Sequence, residues 1–239
     1  MLPALILAAA FYGDRPYPYT APSRPLLSTV TLGGMCSGSC RDGALIIGAG
    51  EIVGRRDDGA LLVLTARHVV EKLPHPRVYV RAGELPGTPF AALWERRPGR
   101  AGTVVAVSPD ADLALVAFRP RRIDAYRIAT LADESWPEGG EVVGHPNGAL
   151  WTTSPFRFLE SARDTFDVDC GTCGPGDSGG GVFDGEGRLA GILVRQRIDP
   201  GAGADGRARG TTEFQVVSLA KVRAFIASGQ DAFDPWSRF

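Results

Sequence analysis

At 239 residues the chain has the size of one domain, or of one two-barrel β unit, and is long enough to bury a sizeable core. Its 26 basic and 27 acidic residues leave a formal net charge of −1, which excludes a general electrostatic pull toward nucleic acid or an anionic membrane. Among the basic residues only Lys72 and Lys221 are lysine, a bias that reads as the codon usage of a GC-rich genome rather than as arginine-based recognition of acidic partners.

The N-terminus opens on Leu2-Pro3-Ala4-Leu5-Ile6-Leu7-Ala8-Ala9-Ala10. This apolar run is too short to span a bilayer. Residues 1–10 match the h-region of a secretory signal peptide, with Ala8-Ala9-Ala10 as the small-residue cleavage site, although no Lys or Arg precedes the run. The expectation is a secreted or periplasmic protein with no membrane-spanning segment in the mature chain. Residues 11–27 carry Pro16, Pro18, Pro22 and Pro25 and read as a spacer.

From Leu27 onward the pattern is one of short apolar or alternating runs broken by turn residues. Ala44–Val53 and Ala60–Thr65 flank Asp58-Gly59, a hairpin signal, and Arg77–Arg81, Thr103–Val107 and Leu113–Phe118 continue the series. Ile123–Ala132 reads as a crossing segment. Glu141–Val143, Leu150–Thr153, Phe156–Glu160, Phe166–Val168, Gly181–Phe183, Leu189–Val194 and Phe214–Val217 form a second series. So many short strands argue for an all-β protein and against alternating α/β. Ser218 is placed to cap a closing helix over Leu219–Ser228, whose Leu219, Val222, Phe225 and Ile226 share one face, and Gly229 is its expected stop. Residues 229–239 form a tail. Pro200–Gly210 reads as a loop, and no internal repeat is visible.

Chemistry concentrates in Gly174-Pro175-Gly176-Asp177-Ser178-Gly179-Gly180-Gly181. A serine hydroxyl is a weak nucleophile alone; it needs a base for its proton and donors for the oxyanion it creates. Glycines let the chain turn tightly enough for two N–H groups, those of Gly176 and Ser178, to face one point. A base and its orienting acid are available upstream. His68 ends the run Leu61–Leu64 through Thr65-Ala66-Arg67, and Asp112 opens Leu113-Ala114-Leu115-Val116. Of the other histidines, His75 lies between two prolines in a loop and reads as a solvated loop residue, while His145, at a strand-end turn, reads as structural. Asp110 competes with Asp112, but beside Pro109 it is a natural turn residue. The order His68, Asp112, Ser178 differs from the subtilisin and α/β-hydrolase orders.

Thr65-Ala66-Arg67-His68, Asp112-Leu113-Ala114-Leu115 and Gly176-Asp177-Ser178-Gly179-Gly180 together resemble the signature blocks of chymotrypsin-like serine proteases. Gly48–Val53, Val143–Gly148 and Glu213–Ser218 are similar to the bacterial HtrA-type branch, and the resemblance covers residues 28–228. It implies two six-stranded antiparallel Greek-key β-barrels, an N-terminal one over about 28–120 and a C-terminal one over about 133–218, followed by the helix. It implies an endopeptidase that acts on polypeptides through an acyl-enzyme, with no cofactor, no metal and no nucleic-acid partner. The PDZ domain usual in HtrA-type proteins is not expected here. By the same resemblance Thr172 stands at the base of the primary specificity pocket, and Ile192–Gln196 is the strand that pairs with substrate, bringing Val194 and Gln196 to it. Asp177, which in zymogen-activated relatives meets a new N-terminus, reads here as held by local backbone N–H groups. An inactive binding module on the same fold, or an esterase with the same triad, are the rival functions.

Four cysteines, Cys36, Cys40, Cys170 and Cys173, form two close pairs in sequence. In an exported protein they read as disulfides, with three connectivities open. Both spacings also suit a tetrathiolate zinc site.

Overall fold

The computed structural model describes residues 24–36, 44–73, 75–81, 84–96, 98–121, 126–133, 136–199 and 209–231. The leader at residues 1–10 and most of the spacer lie outside the described residues. Among the described residues no helix is long and apolar enough to cross a membrane.

Twelve strands close into two antiparallel barrels. The first holds β1 (Thr29–Met35), β2 (Leu45–Arg55), β3 (Leu61–Thr65), β4 (Arg77–Tyr79), β5 (Arg100–Val107) and β6 (Ala114–Phe118), in the order β1-β2-β3-β6-β5-β4. The second holds β7 (Gly139–Gly144), β8 (Thr152–Ser161), β9 (Thr165–Asp169), β10 (Gly181–Asp184), β11 (Leu189–Asp199) and β12 (Arg209–Ser218), in the order β10-β11-β12-β9-β8-β7. Read from its first strand, the second barrel repeats the order of the first. One Greek-key topology therefore occurs twice without a recognisable repeat in sequence. Closure pairs most of the strand edges that would otherwise invite aggregation.

β-branched and leucine side chains fill the first barrel, and phenylalanines join valines in the second, as pleated strands favour. Val63, Leu64, Leu113 and Val116 are fully buried in the first barrel, and Phe166, Val168, Phe214 and Val216 in the second. The closing helix α4 (Leu219–Asp231) lies against β11, β12 and β5, burying Leu219, Val222 and Phe225. Ser218 Oγ accepts from the Lys221 N–H at 3.4 Å. The helix runs through Gly229 rather than stopping there.

Three further corrections concern elements. Residues 24–27, assigned to the spacer, belong to a short helix α1 (Arg24–Ser28), because Leu26 packs on the core and the Pro25 carbonyl accepts from Ser28 and Thr29 hydroxyls. Leu150–Thr153 and Phe156–Glu160 are not two strands: β8 runs through Pro155, which pairs with Glu141 of β7 before the pairing with β9 begins at Arg157. A proline is tolerated where a strand is paired on one side. Between β4 and β5, where no helix is expected, α3 (Phe90–Arg96) buries Phe90 and Leu93.

The barrels are pinned to each other by polar side chains. His145, after β7, is buried; its Nδ1 accepts from the Trp151 N–H at 3.0 Å, so Nε2 carries the hydrogen and faces Thr31 Oγ1 of β1 at 3.0 Å. Burial pushes this imidazole down to about 4, which keeps it neutral. Trp151 Nε1 donates to the Thr29 carbonyl at 3.2 Å.

Candidate active site

Ser178 lies in the turn before β10, and its main chain is tied to both barrels. Ala49 of β2 donates to the Ser178 carbonyl at 2.8 Å, while the next N–H, of Gly179, donates to Leu193 of β11 at 2.8 Å. Gly179 has φ +85°, and a Cβ there would stand 2.2 Å from both the Ala49 carbonyl and Thr65 Oγ1. Only glycine fits this crossing between barrels.

Gly176 is constrained in the same way. Its φ is +105°, and a Cβ would meet the His145 carbonyl at 2.2 Å. The N–H groups of Gly176 and Ser178 donate to no group among the described residues. Both residues line a cleft that His68 also lines.

His68 stands on α2 (Arg67–Glu71), the short helix that follows β3. The Arg67 N–H donates to the Asp112 carbonyl at 3.1 Å, which docks the helix onto the loop before β6. The two side chains then meet. His68 Nδ1 donates to Asp112 Oδ2 at 2.6 Å, and the His68 backbone N–H donates to Asp112 Oδ1 at 2.9 Å. Burial alone raises a carboxyl group, but these two hydrogen bonds and the nearby positive groups outweigh it, holding Asp112 below its ordinary value. With Nδ1 so engaged, Nε2 is the nitrogen available to Ser178. No hydrogen bond joins His68 to Ser178 in the structure.

The rival residues fall elsewhere. Asp110 is exposed and binds Lys221 Nζ at 2.6 Å and Ser108 Oγ at 2.9 Å, which pushes it down to about 2. His75 is exposed, and His145 is one of the pins between barrels. Asp177 is buried, its Oδ2 accepting from the Gly174 N–H at 2.8 Å; burial pushes it up to about 7 against that bond.

Thr172 is exposed in a turn closed by the Cys170–Cys173 disulfide and does not line the cleft. Val194 packs into the core, so it can meet a substrate only through its main chain. Gln196 Nε2 donates to the Thr211 carbonyl at 2.7 Å. β10 pairs with β11 as far as Ile192, and Leu193 still exchanges hydrogen bonds with Gly179 and Gly180; beyond that, β11 pairs with β12 alone among the described residues. One edge of Val194–Ile198 thus has no partner strand among the described residues.

The disulfide excludes a tetrathiolate zinc site, since sulfurs bonded to each other cannot be thiolate ligands. Cys36 is disulfide-bonded as well, and Cys40 lies outside the described residues.

The cleft has further walls that the sequence reading missed: Ile47 of β2, Lys72, Phe90 and Ala91 of α3, and Asn147. The spacing of Phe90, Leu93 and Trp94 was the available signal for α3.

Several solved structures share this fold. The Rv3671c protease of M. tuberculosis in its active form is 24% identical, with a TM-score of 0.60 over 85% of this chain and 81% of that one. A serine endoprotease from Yersinia pestis is 17% identical, with a TM-score of 0.62 over 86% of this chain and 64% of that one. The HtrA-type protease AlgW, determined with a tripeptide, is 18% identical, with a TM-score of 0.61 over 86% of this chain and 60% of that one. The chain thus spans less than two thirds of the latter two. A comparison with curated proteins finds no match. Residues 48–192 match the trypsin-like peptidase domain, more than half of the sequence, and the chain belongs to that family.

Proposed function

We propose that the protein is a serine endopeptidase working through His68, Asp112 and Ser178. The observation that carries this reading is the double hydrogen bond from His68 to Asp112, on the wall of the cleft that holds Ser178 and two unengaged N–H groups. Ser178 Oγ attacks the carbonyl carbon of the scissile bond, and its proton passes to His68 Nε2. The N–H groups of Gly176 and Ser178 stabilise the negative oxygen of the tetrahedral intermediate. The C–N bond then breaks as His68 returns the proton to the leaving nitrogen, leaving an acyl-Ser178 ester. Water, deprotonated by the same imidazole, hydrolyses that ester. Asp112 holds the ring in the tautomer that presents a free Nε2 and stabilises its cation.

Labelling by a serine-reactive phosphonate and peptide hydrolysis by the purified protein test the reading together. Ser178→Ala is expected to lose both, with kcat reduced on the order of 10⁴–10⁶-fold and the fold retained. Unchanged hydrolysis by this variant, with contaminants excluded, would overturn the mechanism. Hydrolysis of esters without any peptide turnover would make the protein an esterase.

A further inference from the structure

The cleft beside Ser178 has a volume of about 550 Å³, a size that accepts small ligands and side chains. Its walls are mainly apolar: Ile46 and Ile47 of β2, Val69 of α2, Phe90 and Ala91 of α3. Among the described residues no acidic side chain lines it. Lys72 is its one lysine, exposed and without an ion-pair partner among the described residues, whereas Lys221 is held by Asp110 and Asp164.

One wall is a strap built from both barrels. The Gly87 N–H donates to Leu150 at 2.7 Å, the Leu150 N–H donates back to Thr88 at 2.9 Å, and Pro89 bridges Ala149. Below it Phe90 packs edge-on to Tyr79, with centroids 5.3 Å apart, and beside the buried Leu150 and Trp151. Such a wall is formed before any substrate arrives, so little ordering cost attaches to its use.

Neither the Cys170–Cys173 loop nor any residue of β11 lines this cleft, yet Pro175 and Gly176 do. It therefore serves the other side of Ser178 from the Val194–Ile198 edge of β11. With the acyl part of a peptide along β11, the released part runs past Gly176 into the cleft.

We infer that selectivity resides in this cleft: it takes an aromatic or large aliphatic side chain of the first released residue, with an acidic group next to it facing Lys72. The inference rests on the peptidase reading above.

Two peptide series sharing one acyl portion test it, together with an ester of that acyl portion that has no released residue. The first series varies the first released residue among Phe, Leu, Ala and Gly; the second varies the next among Asp, Ala and Arg. Phe and Leu are expected to exceed Gly in kcat/KM by about 10- to 100-fold. Asp is expected to exceed Arg a few-fold, a preference that salt erases. Ala91→Trp fills the cleft from the exposed side of α3 and, measured against the variant's own ester turnover, removes the first preference. Lys72→Glu reverses the second. Equal rates across the first series, or a Phe preference that survives Ala91→Trp, overturn the inference while Ser178-dependent hydrolysis leaves the peptidase reading intact. Absence of Ser178-dependent hydrolysis of ester and peptides alike overturns both.

Discussion

Glu51 Oε1 accepts the N–H of Gly181 at 3.0 Å, so a fully buried carboxyl group of the first barrel holds the first residue of β10 in the second. Ser28 Oγ lies 2.9 Å from Glu51 Oε2 and 3.0 Å from the Pro25 carbonyl; Thr29 Oγ1 lies 2.8 Å from Oε1 and 2.9 Å from the same carbonyl. Two hydroxyl hydrogens serve four oxygen–oxygen contacts. A third hydrogen, on Glu51 itself, supplies one of the missing ones. Counting hydrogens thus points to a neutral carboxylic acid, in agreement with burial, which pushes Glu51 up to about 8 against its three hydrogen bonds.

A raised carboxyl in the folded state means that the native protein binds one more proton than the unfolded chain between about 4.5 and 8. Stability supplied by Glu51 is full below that window and is lost as pH rises through it. Glu51→Gln keeps a donor toward Ser28 and an acceptor for Gly181 without a titrating group. Its unfolding midpoint in urea is expected to vary much less from pH 5 to 9 than that of the wild type. Two other buried groups act in opposite directions: Asp177, raised to about 7, adds slope of the same sign, while His145, lowered to about 4, opposes it below its ordinary value of 6.5. An undiminished slope in the variant would show that Glu51 is ionised in the native state.

The two aspartates of the loop before β6 provide a sharp comparison. Asp112→Asn is expected to lower kcat by about 10⁴-fold, because an amide opposite Nδ1 favours the wrong imidazole tautomer. Asp110→Asn removes an exposed pair with Lys221 and is expected to leave kcat near the wild-type value. The reverse ranking would place the orienting carboxylate at Asp110.

Local pairing of Cys170 with Cys173 closes a very short loop. The chain-entropy relation then assigns it on the order of 2 kcal/mol, against about 4–5 for a link across the barrels. Replacing this pair alone, Cys170→Ser with Cys173→Ser, is accordingly expected to lower Tm by several degrees without unfolding the protein at room temperature. Peptide mapping that found Cys170 joined to Cys36 would contradict the pairing.

How much could be read in advance follows from range. The glycine turn, His68 and Asp112 each carry a local signature, and alternating Val and Leu runs mark nearly every strand. What stayed hidden depends on long-range closure. The end of the spacer became α1 because Glu51, more than twenty residues on, captures Ser28 and Thr29. The apolar wall at Phe90 and Ala91 exists because α3 is strapped to Leu150, about sixty residues away. Leu150–Thr153 and Phe156–Glu160 read as separate runs, and only the pairing of Pro155 with β7 shows that one strand passes through a residue with no N–H.

Gly176→Ala tests the proposed oxyanion donors apart from the proposed triad, which it leaves untouched. The new Cβ would stand 2.2 Å from the His145 carbonyl at a φ of +105°, so the Pro175-Gly176 peptide must move. His145 cannot yield easily, being buried between Thr31 and Trp151. The Gly176 N–H, in the lining of the cleft, therefore shifts with it. Losing one oxyanion donor costs about 10²–10³-fold in kcat, with KM little changed, since the donor acts on the tetrahedral state more than on bound substrate. Ester and peptide substrates should suffer alike, because both form that intermediate, and labelling by the phosphonate should slow in parallel. Circular dichroism and melting establish that the barrels persist. A variant with normal kcat would show that the oxyanion is stabilised by other donors, and a rise in KM alone would move Gly176 from catalysis to binding.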